Sequence, residues 1–142
     1  MHIRSANVND RDSVFALVEQ LASTYNVDRA AFSDAFDHAL SNDDHVLLVA
    51  EMDDRVVGYV LMTIARLMYT RDDAAQIQEL IVDAGSRASG VGSALVHAVE
   101  DLCRARALTQ LSVASSRGAA FYDRLDYRST ADFLKKSFIE LD

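Results

Sequence analysis

The chain has 142 residues, half of them hydrophobic and a quarter charged, the size and composition of one soluble globular domain with a single core. A formal net charge of −8 argues against general nucleic-acid binding, which needs a basic face. One cysteine, Cys103, excludes an internal disulfide and fits a reducing cytoplasm.

The N-terminus, "MHIRSANVNDRDS", turns polar at once and lacks the apolar core of a signal peptide. No apolar stretch is long enough to span a bilayer, so no membrane partner is expected and the location expected is cytoplasmic. The segment His2 to Ala6 alternates and predicts a first strand. Asn7, Asn9 and Asp10 then offer helix caps. Val14, Leu17, Val18 and Leu21 mark one helical face, and Phe32, Ala35, Phe36, Ala39 and Leu40 mark a second helix.

The run His45–Met52 is rich in β-formers, and Asp53-Asp54 makes a turn. Residues 55–68 return as a strand, giving a hairpin. Ala75–Val82 predicts a further strand with Ile77, Glu79 and Ile81 on one face and Gln78, Leu80 and Val82 on the other. Val91, Ala94, Leu95, Ala98, Val99 and Leu102 recur at helical spacing. Leu108–Ala114 reads as a strand, 117–125 as a short helix and Ala131–Leu141 as a closing strand. The expected order is strand, two helices, three strands, helix, strand, helix, strand: a mixed α/β domain, part antiparallel and part parallel.

Between the apolar strand and the long helix lies "DAGSRASGVGSAL". A helix start presents backbone N–H groups with no intrahelical partner and the positive end of the helix dipole, which together suit a phosphate. Glycine lets the backbone take positive φ and lets a ligand come close, and an arginine adds a fork of donors. A P-loop would need Gly-Lys-Ser/Thr, and no lysine is present. A dinucleotide fingerprint would need a third glycine where Leu95 stands. The third pattern, Arg/Gln-x-x-Gly-x-Gly/Ala, is met at every fixed position by Arg87, Gly90 and Gly92.

That pattern resembles the acyl-CoA loop of the GCN5-related N-acetyltransferase (GNAT) superfamily. The segment "AAFYDRLDY", Ala119 to Tyr127, resembles the family's FYxxxGF segment, and the order of elements resembles the family's over the whole of residues 1–142. The resemblance implies a single α/β domain with a mixed, mostly antiparallel sheet, a splayed central strand pair and flanking helices. It implies an N-acetyltransferase with acetyl-CoA as cosubstrate, acting on a primary amine of a small molecule or protein by direct attack. The pantetheine amides would bond the backbone of Leu80, Ile81 and Val82. The pyrophosphate would sit against Arg87, Ala88, Ser89, Gly90, Val91, Gly92 and Ser93.

By the same resemblance Glu79 is the base that takes the amine proton, and Tyr122 is the acid that protonates the departing thiolate and touches the cofactor. A sheet-edge carboxylate and a core aromatic are the structural alternatives for these two. Two positions depart from the family pattern. Asp126 replaces the usual glycine before the last aromatic, at a turn that needs positive φ, which Asp tolerates better than most residues. Ser115 stands where many relatives carry a cofactor-contacting asparagine. Arg117 and Arg124 could reach the 3′-phosphate of the cofactor, though solvated surface arginines are the plainer reading.

The family's acceptor wall would fall on the first two helices, with Tyr25, Asp28, Asp34, Asp37 and His38. The acids are compatible with a cationic amine acceptor, though a solvated acidic helix face is the plainer reading. Pairing into a homodimer through an exposed strand edge is a family habit that no residue here marks. A non-catalytic acetyl-CoA sensor would need neither Glu79 nor Tyr122. A nucleotide-binding structural protein is the third reading. His2, His38, His45 and His97 show no ligand spacing, so no metal is expected. Cys103 reads as a packed thiol, and Met62 and Met68 as core filler. Lys135 and Lys136 would point to opposite faces of the last strand.

Overall fold

The structure is a computed structural model, described over residues 1–22, 26–115 and 118–139. Strand β1 (His2–Ser5) leads through a 3-10 turn, Val8–Asp10, into helix α1 (Arg11–Leu21) and helix α2 (Arg29–Ser41). Strands β2 (His45–Met52), β3 (Arg55–Ala65) and β4 (Ala74–Val82) follow. Helix α3 (Val91–Ala105), strand β5 (Leu111–Val113) and helix α4 (Ala119–Arg124) come last.

The five strands lie in the order β1-β2-β3-β4-β5, antiparallel except for the parallel β4–β5 pair. The β2–β3 hairpin turns through Asp53 and Asp54, with φ of 52° and 60°, both left-handed, as a two-residue primed turn requires. Asp is among the residues that enter this region at low cost.

Helices cover both faces of the sheet. On one, α1 and α2 bury Val14, Leu17, Phe32 and Phe36 against Leu47, Val49, Tyr59 and Ile81. On the other, α3 buries Val91, Leu95, Val96, Val99 and Cys103 against Leu48, Val60, Met62, Ala75 and Ile77. Gly58 permits the close seat of α3: a Cβ there would lie 3.1 Å from both the Ile81 carbonyl and Val91 Cγ1. Cys103 is the buried thiol expected, its Sγ 3.7 Å from Met62 Sδ. Met62 is core, but Met68 is fully exposed in the β3–β4 loop, because β3 ends at Ala65.

The expected closing strand does not form. Among the described residues, 131–139 have no strand partner, and Phe133, Leu134, Phe138 and Ile139 are 71–90% exposed. A β-rich segment becomes a strand only when a neighbour satisfies its backbone, and β5, three residues long, offers little ladder. Lys135 and Lys136 therefore do not sit on opposite sheet faces.

Candidate active site

The site grows from one irregularity in β4. Leu61 pairs with Glu79 and Met62 with Ile77, so Gln78 is an extra residue, a β-bulge. Past the bulge the alternation is inverted. Ile77 packs on the α3 side with Leu80 and Val82, while Ile81 packs on the α1–α2 side. The expected sharing of one face by Ile77, Glu79 and Ile81 is thus overturned. Glu79 is turned toward α1 and α2, where its Oε1 accepts a hydrogen bond of 2.6 Å from Tyr59 Oη. Gln78 is exposed, and its Nε2 donates to Thr63 Oγ1 at 2.9 Å.

The bulge is also where β4 loses β5. The parallel ladder holds for three pairs, ending at Ile77 with Val113. From Gln78 to Val82, β4 keeps β3 on one side and, among the described residues, has no strand on the other. The splayed central pair is therefore present; Leu80 and Val82 turn their backbone groups away from β3 toward the gap, while those of Ile81 face β3.

Beyond Val82 the chain makes a tethered loop. Asp83 N–H donates to the Val57 carbonyl at 2.7 Å, and its carboxylate accepts from Gly85 N–H at 3.1 Å and from Gln20 Nε2 at 2.9 Å. Gln20 Oε1 accepts in turn from Ala84 N–H at 3.1 Å, so α1 clasps the loop with both ends of one amide. The Gln20 hydrogen bond, more than any neighbouring charge, holds the Asp83 carboxyl below its usual range.

Ala88 (φ 66°) and Gly90 (φ 85°) are both left-handed, and Ser89 Oγ bonds the Ser86 carbonyl between them. Such alternation turns successive N–H groups to one side. None of the backbone N–H groups from Arg87 to Ser93 donates to a partner among the described residues. Arg87, Ala88, Ser89 and Gly90 are exposed; Val91 is buried as the first anchor of α3, and Gly92 and Ser93 are half-buried. Arg87 Nε donates weakly to the Val82 carbonyl at 3.4 Å, leaving the outer guanidinium nitrogens to face outward. Seven free donors and a guanidinium fit a diphosphate.

Tyr122 lies across β4 on the α3 side, 8% exposed, edge-on to Phe121 (4.9 Å) and Tyr127 (5.5 Å). Burial pushes its hydroxyl pKa up, so it is a proton holder at neutral pH. Helix α4 is fixed at both ends. Ser115 Oγ accepts from Gly118 N–H at 2.8 Å, giving Ser115 a structural role at the helix start. Asp126 is left-handed, φ 68°, as the departure from glycine demanded. Tyr127 Oη, one residue on, donates to Glu100 Oε2 on α3 at 2.7 Å.

Glu79 and Tyr122 thus lie on opposite faces of β4 around its open edge. The acids of α2 do not converge. Asp28 caps the helix through Ala30 N–H at 3.0 Å, and Asp37 pairs with Arg11 at 2.6 Å. His38 sits edge-on to His45 at 4.7 Å. Arg124 is exposed on α4. Tyr25 and Arg117 lie outside the described residues. A cavity of about 410 Å³ opens at the far end of the sheet among Asp43, Asp73 and Arg106, away from this chemistry. Among the described residues no helix is long and apolar enough to cross a membrane, and no cluster of His, Cys, Asp or Glu could hold a metal.

The residues that sequence reasoning missed are Tyr59, Gln20 and the Gln78 bulge. Tyr59 sits inside an apolar run and reads as core; only the strand register reveals its hydroxyl beside Glu79.

Comparison with known proteins agrees with this geometry. The acetyltransferase (GNAT) family model matches residues 14–127. Aminoalkylphosphonate N-acetyltransferase of Salmonella typhimurium is 30% identical over 132 residues, covering 90% of this chain and 85% of that protein. In fold, the chain is similar to glucosamine-6-phosphate N-acetyltransferase from Arabidopsis thaliana (TM-score 0.83, 23% identity, 97% of this chain and 98% of that one). It is also similar to ribosomal-protein-alanine N-acetyltransferase from Brucella melitensis biovar Abortus 2308 (TM-score 0.78, 20% identity, 99% and 100%).

Proposed function

Because the chain belongs to the acetyltransferase (GNAT) family, we propose that it carries an acetyl group from acetyl-CoA to a primary amine by direct attack, with Glu79 as base and Tyr122 as acid. Family membership makes it an N-acetyltransferase; the cosubstrate, the roles of these residues and the kind of amine are what the proposal adds. The observation that carries it is the coincidence at Gln78: one bulge both opens β4 from β5 and turns Glu79 to the face opposite Tyr122.

The roles follow from the placement. The free N–H groups of Arg87 to Ser93, with the Arg87 guanidinium, would hold the pyrophosphate. The unpaired edge of β4 from Leu80 to Val82 would bond the pantetheine amides as a missing strand does. Glu79 would accept a proton from the amine, since only the neutral amine has a lone pair to attack with. Tyr122, kept protonated by burial, would give its proton to the sulfur.

The acceptor is a primary amine on a small molecule or a protein. Two of the relatives named above are named for an aminoalkylphosphonate and for glucosamine 6-phosphate, each an amine borne beside an anionic group, and the third for a ribosomal-protein alanine. The structural tasks of Asp28 and Asp37 weaken the alternative of a cationic acceptor. A homodimer belongs to the proposal too. The exposed Phe133, Leu134, Phe138 and Ile139 and the short edge strand β5 support it, and loss of the dimer on truncation after Thr130, seen by light scattering, is its test.

The test of the activity is thiol release from acetyl-CoA with 2-aminoethylphosphonate, glucosamine 6-phosphate, spermidine and a lysine peptide as acceptors. Turnover with at least one is expected, reduced about 10²-fold or more in Glu79→Gln with coenzyme A affinity retained. Tight coenzyme A binding with no turnover of any amine would point instead to a sensor.

A further inference from the structure

Tyr59 lies near the middle of β3, paired with Ile81 and 1% exposed. Its ring is packed among Val49, Ile81 and the apolar side chains of α1 and α2. Its one polar side-chain atom, Oη, donates to Glu79 Oε1 at 2.6 Å, the length of a phenol bonded to a charged carboxylate. We propose that Tyr59 is a positioning residue for Glu79, fixing Oε1 and so reserving Oε2 as the oxygen that receives the amine proton. The inference rests on the reading of Glu79 as base and deepens it.

A glutamate has three rotatable bonds, and on the open edge of a splayed strand nothing local would hold its head. A ring clamped in the core has almost no freedom, so a hydrogen bond from it converts core rigidity into placement of the carboxylate. The bulge is necessary to this arrangement. In a regular β4, Glu79 would share the face of Ile77 and could not reach Tyr59. Burial and the adjacent carboxylate push the Tyr59 hydroxyl far above its ordinary range, so it stays a donor throughout the working pH of any such reaction.

The proton balance is simple. As the amine nitrogen bonds the thioester carbon and the carbon–sulfur bond breaks, one proton passes from nitrogen to Glu79 Oε2, and one passes from Tyr122 to sulfur. Tyr59 keeps its own proton and transfers none.

The test is a double-mutant cycle of Tyr59→Phe and Glu79→Gln, with a spectroscopic check on the free protein. Phenylalanine keeps the ring and removes only the hydroxyl. In Tyr59→Phe, kcat is expected to fall about tenfold to a hundredfold, with KM for acetyl-CoA unchanged. In the Glu79→Gln background the same change is expected to do nothing further, because the two act as a unit. Proton NMR of the ligand-free protein is expected to show a slowly exchanging downfield hydroxyl proton that is absent from both Tyr59→Phe and Glu79→Ala. Equal losses from Tyr59→Phe in both backgrounds would overturn positioning through Glu79, as would absence of that proton signal. Full activity in Tyr59→Phe alongside a crippled Glu79→Gln would overturn the positioning and leave the base. Full activity in Glu79→Gln would remove the base, and the inference with it.

Discussion

Ile77 and Glu79 stand two places apart on one strand and face opposite sides of the sheet. In regular β-structure residues at this spacing share a face. The inserted Gln78 alone makes the difference, and it places an ionisable side chain on one side of the sheet and an apolar anchor on the other. Removing Gln78 would make Glu79 the neighbour of Ile77 and leave it on the face toward Tyr59, while the irregularity beside the end of the β4–β5 ladder is lost. Coenzyme A affinity, measured by calorimetry, is then expected to fall as the gap narrows.

The two glycines at the start of α3, Gly90 at its cap and Gly92 in its first turn, differ in what they require. At Gly90 nothing lies within 4 Å of an added Cβ, but φ is 85°, so Gly90→Ala costs about 1 kcal/mol of backbone strain without a clash. Gly92 is helical, and its added Cβ would meet Phe121 at an ordinary 3.5 Å. Gly92→Ala is expected to leave stability within about 1 kcal/mol. Coenzyme A affinity, measured by calorimetry, should drop in the first variant far more than in the second. Ala88→Gly, at φ 66°, is expected to stabilise slightly.

Tyr122→Phe is expected to lower kcat about a hundredfold while preserving the fold. Burial raises the Tyr122 hydroxyl above its ordinary value of 10.0. It therefore keeps its proton through neutral and mildly alkaline pH. In the native enzyme, a loss of rate from deprotonation of this group should appear only above pH 10. A basic limb below that value would belong to some other group.

Buried Asp10 predicts the acid end of the stability curve. Arg4 forks onto it at 2.8 and 2.9 Å and also reaches Glu51 at 2.7 Å, tying β1 to β2 and to the entry of α1. The Arg4 hydrogen bond holds the Asp10 carboxyl below its value of 3.8 in the unfolded chain. A depressed carboxyl contributes stability that is full above the unfolded value and lost as pH falls through the folded one. Asp10→Asn should cost about 2–3 kcal/mol at neutral pH and flatten the melting profile below pH 4. At the other end, Tyr59, Tyr122 and Tyr127 are all raised, chiefly by burial. Their contribution is full below pH 10 and lost as pH rises above it, so denaturation in strong alkali is expected.

Much of this arrangement was legible in the chain itself. The span His45–Met52 is the strand its β-branched run suggested, and the Asp53-Asp54 turn follows from two residues tolerant of positive φ. The left-handed turn before α3 was readable because its demand falls on a residue type, glycine for positive φ. The Asp126 turn was readable for the same reason. The face of Glu79 was not, because a single inserted residue inverts an alternation and leaves no compositional mark. Nor was the role of Tyr59, a partner twenty residues away that only the register of β3 against β4 brings near. The last segment misled because β-propensity describes fitness for a ladder, and the described residues present no neighbour there.

The seam between β4 and β5 is three rungs long, in a sheet whose other ladders mostly run to eight. The amides of β4 just past those rungs should take up deuterium sooner than their counterparts inside the hairpin. Any molecule that bonds them would work as mortar in the shortest joint of the wall. Its arrival should be visible as slowed exchange localised at Leu80 and Val82, whose amides do not face β3, and as a higher melting temperature that climbs with its concentration.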